Sequence, residues 1–207
     1  MDESQQIRAW FADTGQGFVE LVQGIGPESF DGPGLGEWTV RDLIGHTCRA
    51  FSTVEAHLAA EVPDGASWVD NAAAYFTTVR RAAVDHGQIA ERGREAGRAL
   101  GAAPAAAVAD MANRVLALVA RSPDDAPVMT VAGPMMLIDY LPTRAFELTV
   151  HSLDLAVALG VAAPAGTRRS TRQALALVAD LAEADDAAIA VRALTGRCGL
   201  PVGFSLL

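Results

Sequence analysis

The chain has 207 residues, 51% of them hydrophobic, with a formal net charge of −9 at neutral pH and a sequence pI near 4.8. That apolar share, with a mean hydropathy of +0.23, excludes a disordered chain and is enough to bury the core of a single domain. The acidic balance disfavours a nucleic-acid-binding surface, and no uninterrupted apolar run approaches the ~18 to 20 residues that a helix needs to cross a bilayer.

Alanine dominates the apolar fraction and predicts helices rather than strands. The first expected helix covers residues 4–22, with Ile7, Trp10, Phe11, Phe18, Leu21 and Val22 on its apolar face. Residues 24–37 follow with five Gly and two Pro, which is turn chemistry. This stretch reads as a crossover connection, or alternatively as the border of a site mouth. The polar start, Met-Asp-Glu-Ser-Gln-Gln, is unlike a signal peptide, so a cytoplasmic location is expected.

A second helix is expected over residues 39–61. Thr39 suits its N-cap, Asp42 stands where a capping box places its acid, and Trp38 and Leu43 occupy staple positions. At roughly 100° per residue, Asp42, His46, Arg49 and Thr53 fall within an arc of about 60°, flanked by Leu43, Ile44, Phe51 and Val54. Cys48 points away from His46 and reads as a small core residue. His57 shares the face of His46 but lies about 16 Å further along the helix, too far to share an ion with it.

A third helix is expected from about residue 67, packed through Trp68, Val69, Ala72, Tyr75, Phe76 and Val79. Residues 83–100 are more polar and predict an exposed helix in which Glu91, Arg92, Arg94, Glu95 and Arg98 pair along the surface; His86 is expected to be exposed. Pro104 should open a helix running to residue 121. After two Pro-rich stretches comes the helix of residues 141–160, which Pro142 either begins or kinks, in the latter case from a start near residue 135. Two further helices, over residues 167–184 and 185–195, complete an all-α chain.

The chemistry concentrates on Glu147-Leu-Thr-Val-His151. A carboxylate and an imidazole four residues apart share a helix face and could grip one metal ion. Arg144, Glu147, His151 and Asp154 lie within about 80° of arc, while Phe146, Leu148, Val150, Leu153, Leu155, Val157 and Leu159 make the remaining faces apolar. Buried charge must be paired or must ligate something, so this stripe needs a partner, and the stripe carrying His46 can supply one. Two imidazoles and a carboxylate would leave coordination positions free, whereas a closed structural zinc site usually draws on cysteines. Here Cys48 and Cys198 stand alone, without CxxC spacing. Simple i,i+4 hydrogen bonding and an Arg144–Asp154 ion pair remain alternative readings of the stripe.

Glu37-Trp-Thr-Val-Arg-Asp-Leu-Ile-Gly-His46, followed about a hundred residues later by Asp139-Tyr-Leu-Pro-Thr-Arg-Ala-Phe-Glu147-Leu-Thr-Val-His151-Ser-Leu-Asp154, resembles the mycothiol-dependent maleylpyruvate isomerase family of the DinB-like superfamily. The resemblance implies an up-down four-helix bundle with extra helices. It also implies a divalent metal, most often zinc with nickel as the other candidate, on His46, Glu147 and His151. Residues 1–160 would form that metal-binding bundle and residues 161–207 a helical extension that is not an independent domain. The family's isomerases have a second, mixed α/β domain that contributes an arginine to the substrate site, whereas residues 161–207 read as helices.

The activity implied is that of a thiol-dependent transferase or isomerase, with mycothiol as co-substrate and a small electrophile as partner, in a monomer or homodimer. In it, Arg144 would orient a substrate carboxylate and Asp154 would support a ligand histidine. The alternatives are a non-catalytic metal-binding stress-response bundle, marked by a fourth protein ligand or the lack of a cavity, and a metal-dependent hydrolase, marked by turnover without thiol.

Overall fold

The computed structural model describes residues 1–82 and 86–206; the side chain of His86 and the expected helix start at residue 83 lie outside that description. Helix α1 (Glu3–Gln23) opens on a capping box of Asp2 and Gln5 and buries Trp10, Phe11, Phe18, Leu21 and Val22. Helix α2 (Val40–Ala59) opens on the expected box, in which the Thr39 hydroxyl accepts from the Asp42 amide while the Asp42 carboxylate accepts from the Thr39 amide. Asp42 is therefore occupied at the helix start and leaves the polar stripe of His46.

Helix α3 (Ala72–Arg81) begins five residues later than the apolar spacing predicts. The Asn71 side chain caps it by accepting from the Ala74 amide at 2.9 Å, and the Val69 amide donates to the Pro134 carbonyl at 2.9 Å, which holds the preceding segment outside the helix. Trp68, expected in the packing face, is 48% exposed.

Helix α4 (His86–Ala99) leads to α5 (Pro104–Arg121), which starts at the expected proline. An antiparallel hairpin of β1 (Pro127–Thr130) and β2 (Gly133–Met136), in register from Pro127↔Met136 to Thr130↔Gly133, was not legible in an otherwise helical pattern. Helix α6 (Leu137–Leu159) carries Pro142 in its interior, so the longer of the two expected helices forms. It is buried along most of its length, although Val157, expected to pack, is 81% exposed. Helices α7 (Ala165–Leu181) and α8 (Ala184–Leu194) match the predicted pair closely.

The fold is an all-α bundle with one small hairpin. Helices α1, α6, α2 and α5 close a ring in which each packs against the next. Phe51 of α2 sits at its centre, with Phe11 and Phe18 of α1 at ring separations of 6.0 and 6.3 Å. Helix α7 covers α1, α3 and α6, burying Ala174, Leu177 and Leu181.

Helix α4 is not the freely exposed helix its charges suggest. Its outer side carries Glu91, which accepts from Arg94 and Arg98, but its inner side presents Gly97 to α2 and Gly93 to the indole of Trp38 just before it. A β-carbon added at Gly45 of α2 would lie 2.1 Å from the Gly97 amide nitrogen, so the two backbones meet where neither has a side chain. This close seat brings α4 to the edge of the predicted polar stripe.

Candidate metal centre

Helix α2 supplies His46, and α6 supplies Glu147 and His151 one turn apart. One ligand atom from each of the three lies within 4.8 Å of the others. Glu147 Oε2 and His151 Nε2 are 3.2 Å apart. Two ligands at about 2.0 Å from a tetrahedral ion would stand roughly 3.3 Å apart, so this pair is already spaced for coordination. The rings of His46 and His151 meet edge to face at 4.8 Å. His46 Nδ1 is buried and has no hydrogen-bond partner, an orphan that a bundle core seldom tolerates without a function for it.

The surroundings set the protonation of each group. Burial first, with the nearby His151 and arginine charges, drives His46 down to about 4 against the pull of Glu147, which leaves a neutral imidazole with a free lone pair near pH 7. Burial opposes the charge of Glu147, yet the hydrogen bond from His151 and the Arg144 cation hold it down at about 2. Burial likewise opposes a charged His151, but its hydrogen bonds to Asp154 and Glu147 raise it to about 9. The set offers two nitrogens and one anionic oxygen, which fits a borderline divalent cation such as zinc or nickel.

Asp154, one turn beyond His151, places Oδ2 3.1 Å from His151 Nδ1. A proton held there turns Nε2 toward Glu147, the arrangement by which a carboxylate orients a ligand histidine. Arg144 is only 8% exposed and forms no ion pair with Asp154, contrary to the alternative expectation. Its guanidinium lies 5.4 and 5.1 Å from the ring centres of Tyr75 and Tyr140, and its Nη2 donates to the Tyr75 hydroxyl at 3.3 Å. Burial works against that charge, but the two tyrosines and Glu147 outweigh it.

His46, Glu147 and Arg144 open onto a cavity of about 560 Å³ between α2, α3, α4 and α6. The glycine-rich connection of residues 24–37 lines no part of it, so among the two readings of that stretch the crossover connection stands. The same cavity is walled by Arg49, Thr53, His57, Tyr75, Arg92 and Tyr140. Of these, Arg49 and Thr53 lie on the predicted stripe, and Tyr140 stands four residues before Arg144, a spacing that could have flagged it.

Trp38 has a further part that its staple position did not reveal. Its ring lies 4.5 Å from that of His46 at a 33° tilt, its Nε1 donates to the Ala90 carbonyl at 3.1 Å, and a β-carbon at Gly93 would come within 2.9 Å of it. Helix α4 thus presses the indole against the imidazole. No local signal in the sequence links residue 38 to residues 90 and 93.

The model of the family described as the mycothiol maleylpyruvate isomerase N-terminal domain matches residues 11–156, a span that contains every side chain of this site. No curated protein and no solved structure matches the chain.

Proposed function

Because the chain belongs to the mycothiol maleylpyruvate isomerase N-terminal domain family, whose model covers more than half of it, we propose that it is a divalent-metal- and thiol-dependent enzyme. It would add or transfer a low-molecular-weight thiol, mycothiol in the first instance, to a small electrophile, or isomerise the electrophile by reversible addition. The observation that carries this reading is the convergence of His46, Glu147 and His151 beside a cavity of about 560 Å³. A closed, purely structural site would complete its shell with a fourth protein ligand. Among the described residues the group has three members and an open side, which favours catalysis over a stabilising ion.

Zinc or nickel held by these three side chains would lower the pKa of a thiol or water and polarise a substrate oxygen. The chain's own residues do the remaining work. Asp154 holds the proton on His151 Nδ1 and so keeps Nε2 facing the site. Trp38 fixes the plane of His46. Tyr75 and Tyr140 keep Arg144 charged and still, so that it can orient an anionic group of the substrate, while their rings exclude water from that wall.

Metal analysis of the purified protein, with His46→Ala and Glu147→Ala beside the wild type, tests the ligand set. The wild type should hold near-stoichiometric zinc or nickel and both variants should lose it; unchanged content in either variant rejects the assignment. Turnover of an electrophile should require added mycothiol. Equal turnover without any thiol would reject the thiol-dependent reading.

A further inference from the structure

Four hydroxyl groups line the cavity among the described residues, on Thr53, Tyr75, Thr78 and Tyr140, and they spend their protons differently. Thr78 donates to the Ala74 carbonyl at 2.9 Å and Thr53 to the Arg49 carbonyl at 2.7 Å. With its proton so used, the Thr53 oxygen can only accept from Tyr140, 3.2 Å away, and that spends the Tyr140 proton inside the wall. Tyr75 is the exception. Arginine can only donate, so in the 3.3 Å contact between Arg144 Nη2 and Tyr75 the phenolic oxygen is the acceptor.

The Tyr75 proton therefore has no acceptor among the described residues, although the side chain is only 6% exposed and a buried hydroxyl ordinarily finds a partner. A bond received from a cation also strengthens the bond that the same hydroxyl gives onward. The ring cannot easily turn away, since it packs edge to face on Phe76 at 5.5 Å and on Tyr140 at 5.9 Å, with the Arg144 guanidinium 5.4 Å from its centre.

We infer that Tyr75 is a catalytic proton donor, serving the oxygen on which charge collects when a thiolate adds to a conjugated carbonyl compound in the cavity. This role rests on the thiol-dependent function proposed above. Arg144, which holds the hydroxyl, stands three residues before Glu147, about 4.5 Å of helical rise, and a conjugated carbonyl separates the carbon attacked from its oxygen by a few bonds. One small molecule can thus meet both ends.

In the step, a sulfur lone pair forms the C–S bond at the β-carbon, the carbon–carbon π pair moves between the α-carbon and the carbonyl carbon, and the carbonyl π pair settles on oxygen. Tyr75 gives its proton to that oxygen and is left as a phenolate beside the Arg144 cation. In an isomerisation the former double bond, now single, rotates, and the proton returns to Tyr75 as the C–S bond breaks. In a net addition the α-carbon takes up from solvent the proton that the thiol released, and the enol proton returns to Tyr75.

The test compares two electrophiles with mycothiol on the metal-loaded full chain: cyclohex-2-en-1-one, whose addition passes through an enolate, and benzyl chloride, whose displacement does not. Tyr75→Phe, which keeps the ring and its packing, should lower the ratio of addition to displacement about a hundredfold or more with metal content retained. Tyr140→Phe, whose proton serves Thr53, should leave that ratio near the wild-type value. A ratio unchanged in Tyr75→Phe, or lowered as much in Tyr140→Phe, would overturn the assignment.

Binding of 4-nitrophenolate, which carries delocalised negative charge on oxygen as an enolate does, reads the same contact without turnover. In the chelator-stripped protein at pH 8.5, Tyr75→Phe should weaken it about tenfold or more; equal affinity, or no binding by the wild type, would overturn the donor. Wild-type turnover of neither electrophile would reject the function proposed above, while the phenolate result still decides whether Tyr75 offers its proton to an anionic oxygen.

Discussion

Asp154→Ala removes the group that orients His151, and its effect should depend on pH in a way that a structural defect would not. In the metal-free protein His151 stays protonated up to about pH 9, held there against burial by Asp154 and Glu147. That pKa is raised, so the proton stabilises the metal-free form at low pH, and the advantage fades as pH rises toward 9. A divalent cation must displace this proton, so the affinity of the wild type should climb about tenfold per pH unit over the neutral range, with a handicap at pH 7 of about 10^(9−7), or a hundredfold.

Removing Asp154 deletes the 3.1 Å hydrogen bond that fixes the ring. Loss of such an outer carboxylate typically weakens metal binding about 10- to 100-fold. The same deletion lowers the His151 pKa and eases proton competition, which offsets part of the loss at pH 6.5 but little of it at pH 8.5. Competition against a chelator of known zinc affinity across that range should therefore show a shallower slope for Asp154→Ala and a deficit that widens with pH. Asp154→Asn, which keeps an acceptor oxygen without charge, should fall between the two. Parallel wild-type and variant curves, or equal affinity throughout, would refute the orienting role.

The seating of α4 yields two further expectations. Gly45→Ala places a β-carbon 2.1 Å from the Gly97 nitrogen, so the helices must part by more than an ångström to restore an ordinary contact. Overpacking of this kind costs about 1 to 3 kcal/mol, more than the helix propensity that Ala gains, and the melting temperature should fall by several degrees. Gly199→Ala, whose β-carbon meets nothing within 4 Å, serves as the neutral control, and equal melting of the two variants would contradict the close approach. Trp38→Ala strips the ring from His46 and should lower zinc affinity about tenfold as well as stability, whereas Trp38→Phe should lose about 1 kcal/mol with the Ala90 hydrogen bond and keep most of the affinity. Chelator competition and thermal melts on both variants separate the two effects.

Much of this molecule could be read from neighbouring residues alone. Thr39 with Asp42 marked the start of α2, Pro104 that of α5, and the i,i+4 spacing put Glu147 and His151 on one face because helical periodicity is a local property. The facing polar stripe, and then the resemblance carried by the two segments, pointed to His46 as a third candidate ligand, and its side chain lies with those of Glu147 and His151 around one point.

What local rules could not reach was set by distant approach. Helix α4 read as exposed because its glycines have no side chain to signal burial, yet that absence is what lets its backbone meet Gly45 and press Trp38 onto His46. Asn71 and the Val69–Pro134 hydrogen bond overrode an apolar spacing that favoured an earlier start of α3, and the hairpin that supplies Pro134 is too short to show an alternating pattern. The assembly of Arg49, Arg92 and Arg144 around one cavity likewise belongs to the tertiary structure, since their charges meet through space from three helices that no spacing along the chain connects.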